Sequence, residues 1–517
     1  MVSGVMRNYV WLLLLGAVFA GVVVGENEFI QVDLETRLFK DDTGRIRQFH
    51  GVNAVFKIFP WIPITDHFDA NNSLAAEDIA NLQEWGFNVV RLGVMWPGVE
   101  PERGQFNQTY LDSIANLINS LGDAGIYTIV DFHQDVMSRK FCGEGIPDWA
   151  VTFDNDNVKP FPEPLANAYP VDDDDYPPLS DCYKIEFAEY YFADAVASLF
   201  QALYDNDNGL QDDYVNYWVE MVKNFKDLDT VLGYELINEP FFGDIYNNKS
   251  YLLPGHADLY NLQPMYQRLN NEIRKVDNDH IIFFERCVLD TIFPSGFTEA
   301  PGSEEYNNRQ ALSYHIYCAP VDSEGDPTSD IECDAIDTDL FGVMTKDAEK
   351  LSVGGMLTEF GAMSNATKGI KNIEFITNMA EQKFQSWSYW QFKFYEDLTT
   401  QGTGESFYSA DGELQTNKVK ALSRTFAPAI AGTPTLNSFI PSTSNFELRF
   451  IPNLSILESP TEIYLNEAYY YPNGWEWSVM PHNAFAVNTT AHNSLMLFNN
   501  PDLAEGTEVA VFLQKKK

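Results

Sequence analysis

At 517 residues, with 45% hydrophobic and 14% aromatic content, the chain has room for a large cored domain and a smaller one. Its formal charge of −42 argues against nucleic acid and against adsorption to anionic membranes. The acidic excess is read first as a solvated, self-repelling surface.

The amino terminus carries the targeting signal. Arg7 precedes a continuously apolar or small stretch over residues 9–24, and Ala20, Gly21 and Gly25 offer cleavage points before Glu26. That is the layout of a secretory signal peptide over residues 1–25, short for a membrane span, with an uncleaved anchor as the alternative. No later stretch is long and apolar enough for a span, so the mature protein is expected to be soluble. It would be secreted, or held in the lumen of a secretory, lysosomal or digestive compartment.

Of the five cysteines, Cys142 is expected to pair with Cys182 and Cys318 with Cys333, each pair bracketing a polar insertion. Cys287, after an apolar strand, is left as a free thiol. No CxxC spacing or His/Cys cluster suggests a metal, and no cofactor is expected. Sequons at Asn71, Asn107, Asn248, Asn365, Asn453 and Asn488 fit a glycoprotein.

In chain order, strand-like runs around Asp41-Asp42-Thr43-Gly44 predict a hairpin. Phe49-His50-Gly51-Val52-Asn53-Ala54-Val55 is a buried strand running toward Lys57. Residues 73–85 form an amphipathic helix, and Asn88-Val89-Val90-Arg91-Leu92 a strand. A helix over 107–124 leads to Ile126-Tyr127-Thr128-Ile129-Val130-Asp131-Phe132, which delivers His133-Gln134-Asp135. A proline-rich insertion over 137–181, with acids at 172–175, has the length of a lid or binding loop. Helices over 184–203 and 212–225 precede Gly233-Tyr234-Glu235-Leu236-Ile237-Asn238-Glu239-Pro240. There an apolar strand stops at a proline that has no N–H to give.

The alternation then resumes. A helix over 257–276, strands at 281–284 and 311–317, and a helix over 340–351 lead to Gly355-Met356-Leu357-Thr358-Glu359-Phe360-Gly361. A helix over 370–384 and the strand Trp387-Ser388-Tyr389-Trp390-Gln391-Phe392 complete the series. Eight strands alternating with helices predict a (β/α)₈ TIM barrel of the α/β class. A doubly wound open sheet is the alternative, but no glycine-rich phosphate loop follows the first strand. Beyond a helix near 417–427 the runs shorten between Pro, Asn and Gly, as in a small β-sandwich. The expected division is a catalytic barrel over 26–430 and a sandwich over 431–517.

Glu239 and Glu359 thus end the fourth and seventh strands, and such ends face each other across a barrel mouth. Glycoside hydrolysis needs one carboxylic acid to protonate the leaving oxygen and one carboxylate to attack the anomeric carbon. Asn238 would donate to a sugar 2-hydroxyl, Arg91 would keep Glu359 ionised, and Tyr317 would hydrogen-bond the same carboxylate. His133 and His315 would line the mouth and Trp390 its floor.

Arg91-Leu92, Asn238-Glu239-Pro240, His315-Ile316-Tyr317, Thr358-Glu359-Phe360-Gly361 and Trp390 together resemble glycoside hydrolase family 5, retaining enzymes on a (β/α)₈ barrel. The resemblance implies Glu239 as acid/base and Glu359 as nucleophile. Asp131-Phe132-His133-Gln134-Asp135, Ser138-Arg139 and Gly143-Glu144-Gly145-Ile146-Pro147-Asp148-Trp149-Ala150 resemble the endoglycoceramidases of that family, which release whole oligosaccharides from the ceramide of glycosphingolipids. In that group the positions matching Lys57 and Asp135 contact sugar. The partner expected is therefore a glycosphingolipid, met by a monomer with a polar glycan cleft and an apolar channel, with an activator or lipid presenter as a further partner. Residues 58–64 and Phe241-Phe242 are the candidate lipid-side segments, with packing under the loops as the alternative, above all for Phe241 and Phe242. A β-glucanase or β-glucosidase, and a non-catalytic glycolipid-binding protein, are the competing readings.

Overall fold

The structure, a computed structural model, describes residues 29–516 apart from 154–156, 319, 323–324 and 400–403. The expected signal peptide, residues 1–25, lies outside the described residues.

Eight parallel strands close into a barrel: β1 (His50–Ala54), β2 (Val89–Gly93), β3 (Tyr127–Asp131), β4 (Val231–Glu235), β5 (Ile281–Glu285), β6 (Gln310–Ile316), β7 (Gly354–Gly361) and β8 (Ser386–Trp390). Each pairs with its neighbour in the chain, and β8 pairs back onto β1. The expected TIM barrel is the fold found. Helices cover the outside, so both faces of these strands are buried and their sequences run apolar without strict alternation.

The two-residue side-chain period sorts the interior into layers. Val89, Ile129, Leu232, Phe283 and Met356 form an apolar lower layer, closed from the amino-terminal end by Ile30, Val32, Phe39 and Phe49. One step further along the strands, the inward positions become Asn53, Arg91, Asp131 and Glu235, all fully buried. At Gly233 a Cβ would lie 2.2 Å from the Ile281 carbonyl oxygen, so close pairing of β4 and β5 requires glycine there.

The insertion after β3 is pinned by the Cys142–Cys182 disulfide, while Cys318 pairs with Cys333 and Cys287 is free and buried. Asp135 and Glu144 exchange backbone hydrogen bonds of 2.8 Å, folding the segment back over the end of β3. The helix expected over 184–203 starts later, at Asp194, because Ala193 is extended. The 3₁₀ turn Phe187–Phe192 takes up the preceding aromatic run.

Two antiparallel sheets follow the barrel. Their facing sides bury Phe439, Phe446, Leu448, Phe450, Ile463, Leu495, Leu497, Val509 and Val511. The amino-terminal hairpin strands (Gln31–Val32, Phe39–Lys40, Ile46–Arg47) join the larger sheet through Phe426–Ile430, so this hairpin is part of the sandwich. Buried Arg424 joins the two parts, donating to both carboxylate oxygens of Glu381 on the barrel helix Thr367–Gln382. Among the described residues no helix is long and apolar enough to cross a membrane.

Replacing Cys142 and Cys182 together by serine opens a 40-residue closure. The expected cost is about 2–5 kcal/mol, read as a lower denaturant midpoint. An unchanged midpoint in both oxidised and reduced protein would show that this clasp does not constrain the loop.

Candidate active site

The site is built on Arg91. Its side chain is wholly buried and reaches groups contributed by β1, β3, β4 and β7. Nη1 donates to Asn53 Oδ1 and Glu359 Oε2, both at 3.0 Å. Nη2 donates to Asn238 Oδ1 at 2.8 Å and Asp131 Oδ1 at 3.1 Å, and Nε donates to Glu235 Oε2. Burial works to lower the guanidinium pKa, but Asp131, Glu235 and Glu359 push it far above the ordinary value.

Glu359 and Glu239 stand above this layer. Glu359 accepts from Tyr317 Oη at 2.7 Å through its second oxygen. Glu239 follows β4 with a left-handed backbone, φ 44°, and its N–H donates to Glu285 Oε2 at 2.7 Å. Gln134 Nε2 donates to the carbonyls of Asn238 and Glu239, at 2.8 and 3.1 Å, fixing the turn from which the acid projects. His315 Nδ1 lies 2.8 Å from Glu239 Oε1 and 3.7 Å from Glu359 Oε1. One oxygen of Glu239 and one of Glu359 are within 4.8 Å of each other.

Burial, and then the Asp135 charge, push the Glu239 carboxyl up to about 7. Burial also raises Glu359, opposed by His315 and Arg91. Glu285, under Glu239, is driven well above the carboxylate range by burial and by its neighbours Glu239 and Glu235. The two facing acids therefore sit in unlike settings: Glu359 is held by donors that favour its charge, whereas Glu239 borders other acids.

The flank toward β8 is a second charged cluster. Buried Lys57 Nζ lies 2.5 Å from Asp135 Oδ2, 2.9 Å from Asp397 Oδ2 and 3.4 Å from Glu144 Oε1. It also sits 4.8 Å from the centre of the Trp390 ring, against which His133 stacks at 5.2 Å. His133 Nδ1 is 2.8 Å from Asp131 Oδ2; burial would lower its pKa, yet Asp131 and Asp135 hold it up at about 9. Asp135 is pressed far below the carboxylate range: burial opposes this, but Lys57 and His133 outweigh it.

Lys57, Arg91, His133, Asp135, Asn238, Glu239, His315, Tyr317, Glu359 and Trp390 thus gather at one end of the barrel. Sequence reasoning missed their supports. Glu285 was within reach, as an acid closing the strand after Ile281-Ile282-Phe283-Phe284; Gln134 and Glu144 stood inside the motifs that carry the resemblance but were given no role, and Glu235 and Asp397 carried no local signal. For Phe241 and Phe242 the packing alternative holds rather than the lipid role. Both are buried, with Phe241 packed on Tyr191, Phe192 and Phe200, so they belong to the core under the loop. In the 58–64 segment, by contrast, Phe59 is 77% exposed.

The triads Glu239–His315–Glu359 and Glu235–Glu285–His315 have the spacing of cation ligands. Arg91 already supplies the positive charge, donating to Glu359 and Glu235.

Comparison with known proteins agrees with this geometry. Residues 52–396 match Cellulase (glycosyl hydrolase family 5), and residues 424–511 match the Glycoside hydrolase family 5 C-terminal domain. The chain is 36% identical to an endoglycoceramidase of Cyanea nozakii, over 96% of each protein. It is 37% identical to one of Hydra vulgaris, over 93% of this chain and 88% of that one. Endo-glycoceramidase II from Rhodococcus sp., solved as a ganglioside GM3 complex, shares the fold with a TM-score of 0.73 at 24% identity. That likeness covers 92% of this chain and 99% of the other. With one family matched across barrel and sandwich alike, the chain belongs to glycoside hydrolase family 5.

Proposed function

We propose that the protein is a retaining endo-β-glycosidase that cuts between the oligosaccharide and the ceramide of glycosphingolipids. The observation carrying the reaction class is the closeness of the two acids, within 4.8 Å oxygen to oxygen. Retaining enzymes space their carboxyl groups about 5–5.5 Å apart, whereas inverting ones leave about 6.5–9.5 Å for a water. The substrate class is supported by the two endoglycoceramidases that match at 36% and 37% identity over most of the chain.

In this reading Glu359 attacks the anomeric carbon while Glu239 protonates the departing ceramide oxygen. Arg91 and Tyr317 stabilise Glu359 as the carboxylate, and burial keeps Glu239 protonated until the bond breaks. Glycosylation removes the Glu359 charge, so Glu239 ionises more readily and takes a proton from the water that releases the sugar. In the same reading Asn238 donates to the 2-hydroxyl through its second amide hydrogen, since its oxygen is held by Arg91 and its first amide hydrogen goes to the Gln134 carbonyl at 3.0 Å. Lys57, His133, Asp135, His315 and Trp390 bind the glycan. The two disulfides fit an oxidising compartment. With the amino-terminal signal they support a secreted or luminal protein.

Glu239→Ala is expected to lower release of intact oligosaccharide by about 10²–10⁴-fold, with azide restoring turnover of an activated aryl glycoside. Glu359→Gln should abolish both, and near wild-type turnover by either variant would remove its residue from the proposed role. Because Glu239 must carry a proton to act as acid, wild-type kcat/KM should fall as pH rises through about 7. A profile flat to pH 9 would contradict that assignment. Proton NMR of early product should show the β-anomer first; an α-anomer would overturn the double displacement.

A further inference from the structure

The loops that leave β4 and β5, beside Glu239 and Glu285, carry an unusual set of side chains. Leu252 and Leu253 on the first are 48% and 52% exposed; Leu289, Ile292 and Phe293 on the second are 44%, 70% and 46% exposed. Pro254 and Pro294 are exposed among them. From residue 288 to 298 the only charged side chain is Asp290, and from 252 to 260 it is Asp258; both are buried.

These apolar tips are held rigidly. Asp258 accepts from the N–H groups of Cys287 at 2.9 Å and Gly296 at 3.0 Å, while Asp290 accepts from the N–H of Gly255. Asp347 accepts from Ser295 N–H at 2.9 Å and from Arg286, which also bonds the Asp290 carbonyl. Gly255 and Gly296 pack backbone to backbone so tightly that a Cβ on Gly296 would fall 1.8 Å from the Gly255 oxygen. The Val288 N–H donates to the Pro240 carbonyl at 3.0 Å, tying the second loop to the residue after Glu239. Buried acids and an arginine thus fasten two loops together, while Leu252, Leu253, Leu289, Ile292 and Phe293 face solvent instead of the core.

We infer that this uncharged apolar platform docks the enzyme on a zwitterionic lipid surface, seating the mouth of the barrel against the layer that holds its substrate. The charge balance selects that occupant. A chain of net charge −42 is repelled by an anionic surface, and the exposed tips carry no cation of their own, Lys249 and Lys350 (which donates to the Ser295 carbonyl at 3.1 Å) only bordering them. A phosphatidylcholine surface accepts leucine, isoleucine and phenylalanine at its interface without demanding a counter-charge. The inference rests on the glycosphingolipid reading only for its purpose, since docking itself needs no glycolipid.

The full-length protein is floated with phosphatidylcholine vesicles free of glycolipid, beside the Ile292→Asp/Phe293→Asp and Leu252→Ser/Leu253→Ser variants. Wild type should bind with little dependence on salt, and the first variant should lose at least about tenfold in affinity. Hydrolysis of vesicle-embedded glycolipid should fall in parallel, while hydrolysis of a soluble aryl glycoside stays at wild-type level. Vesicle binding that is absent in wild type, unchanged in both variants, or restricted to anionic vesicles at low salt would overturn the proposal. So would equal loss on soluble and embedded substrates in both variants, or a concentration-dependent dimer that the variants abolish. If wild type fails to cleave even detergent-dispersed glycosphingolipid, the substrate reading fails while the vesicle result still decides the docking surface.

Discussion

One buried cation organises the mouth of this barrel. Arg91 holds Asn53, Asp131, Glu235, Asn238 and Glu359 with a single planar side chain. Only a guanidinium offers enough donors in a fixed fork to serve that many partners, so lysine is no substitute. Three carboxylates around one positive charge leave the layer formally negative, and each acid is tolerated because Arg91 is there. Stripping a partner from a buried pair costs roughly 3–5 kcal/mol. Here the same atoms set the position of the nucleophile and of Asn238, so stability and chemistry are written into one contact.

The acid/base is held differently. Glu239 takes a left-handed backbone that a non-glycine residue adopts at a cost of about 1–3 kcal/mol. What stabilises it is the bond from its N–H to Glu285, the Gln134 bonds to the carbonyls of Asn238 and of Glu239 itself, and His315 at its carboxylate. Glu285 performs this as a buried acid whose pKa burial has pushed up, so it grips the turn without adding a full charge under Glu239. The proton donor is therefore backed by another buried acid, while its partner Glu359 is held directly by the Arg91 guanidinium.

Much of this was legible in the sequence for a simple reason: strand ends are local. Asn238-Glu239-Pro240 and Thr358-Glu359-Phe360 announce themselves because a polar pair closes an apolar run, and eight alternations fix the barrel. What local pattern cannot convey is which side chains converge from distant strands. Glu235 and Asp131 looked like ordinary strand residues, and only closure of the barrel places them on Arg91. Phe241 and Phe242 failed in the opposite sense. Two aromatics after a catalytic proline suggested a surface, but the insertion after β3 folds Tyr191 and Phe192 over Phe241. Likewise nothing near the Asp41–Gly44 turn revealed that the amino-terminal hairpin would join a sheet formed by the last hundred residues.

The two flanks of the mouth spend their acids in opposite ways, and this separates a polar surface from an apolar one. Around Lys57 the carboxylates converge: Asp135, Glu144 and Asp397 face one ammonium, and His133 Nε2, 3.4 Å from Asp135 Oδ2, is the other cation within reach. Glu144 responds by holding its proton, pushed up to about 8 by burial despite Lys57. A protonated carboxyl among cations and carboxylates provides both donors and acceptors, which is what a surface crowded with hydroxyls demands. Across the mouth Asp258, Asp290 and Asp347 turn away from the cleft and satisfy backbone N–H groups. Their charge is consumed below the surface, and the loops above need no polar side chains to hold their shape. The same residue type thus builds a wet, hydrogen-bonding wall on one side and frees the other to be apolar.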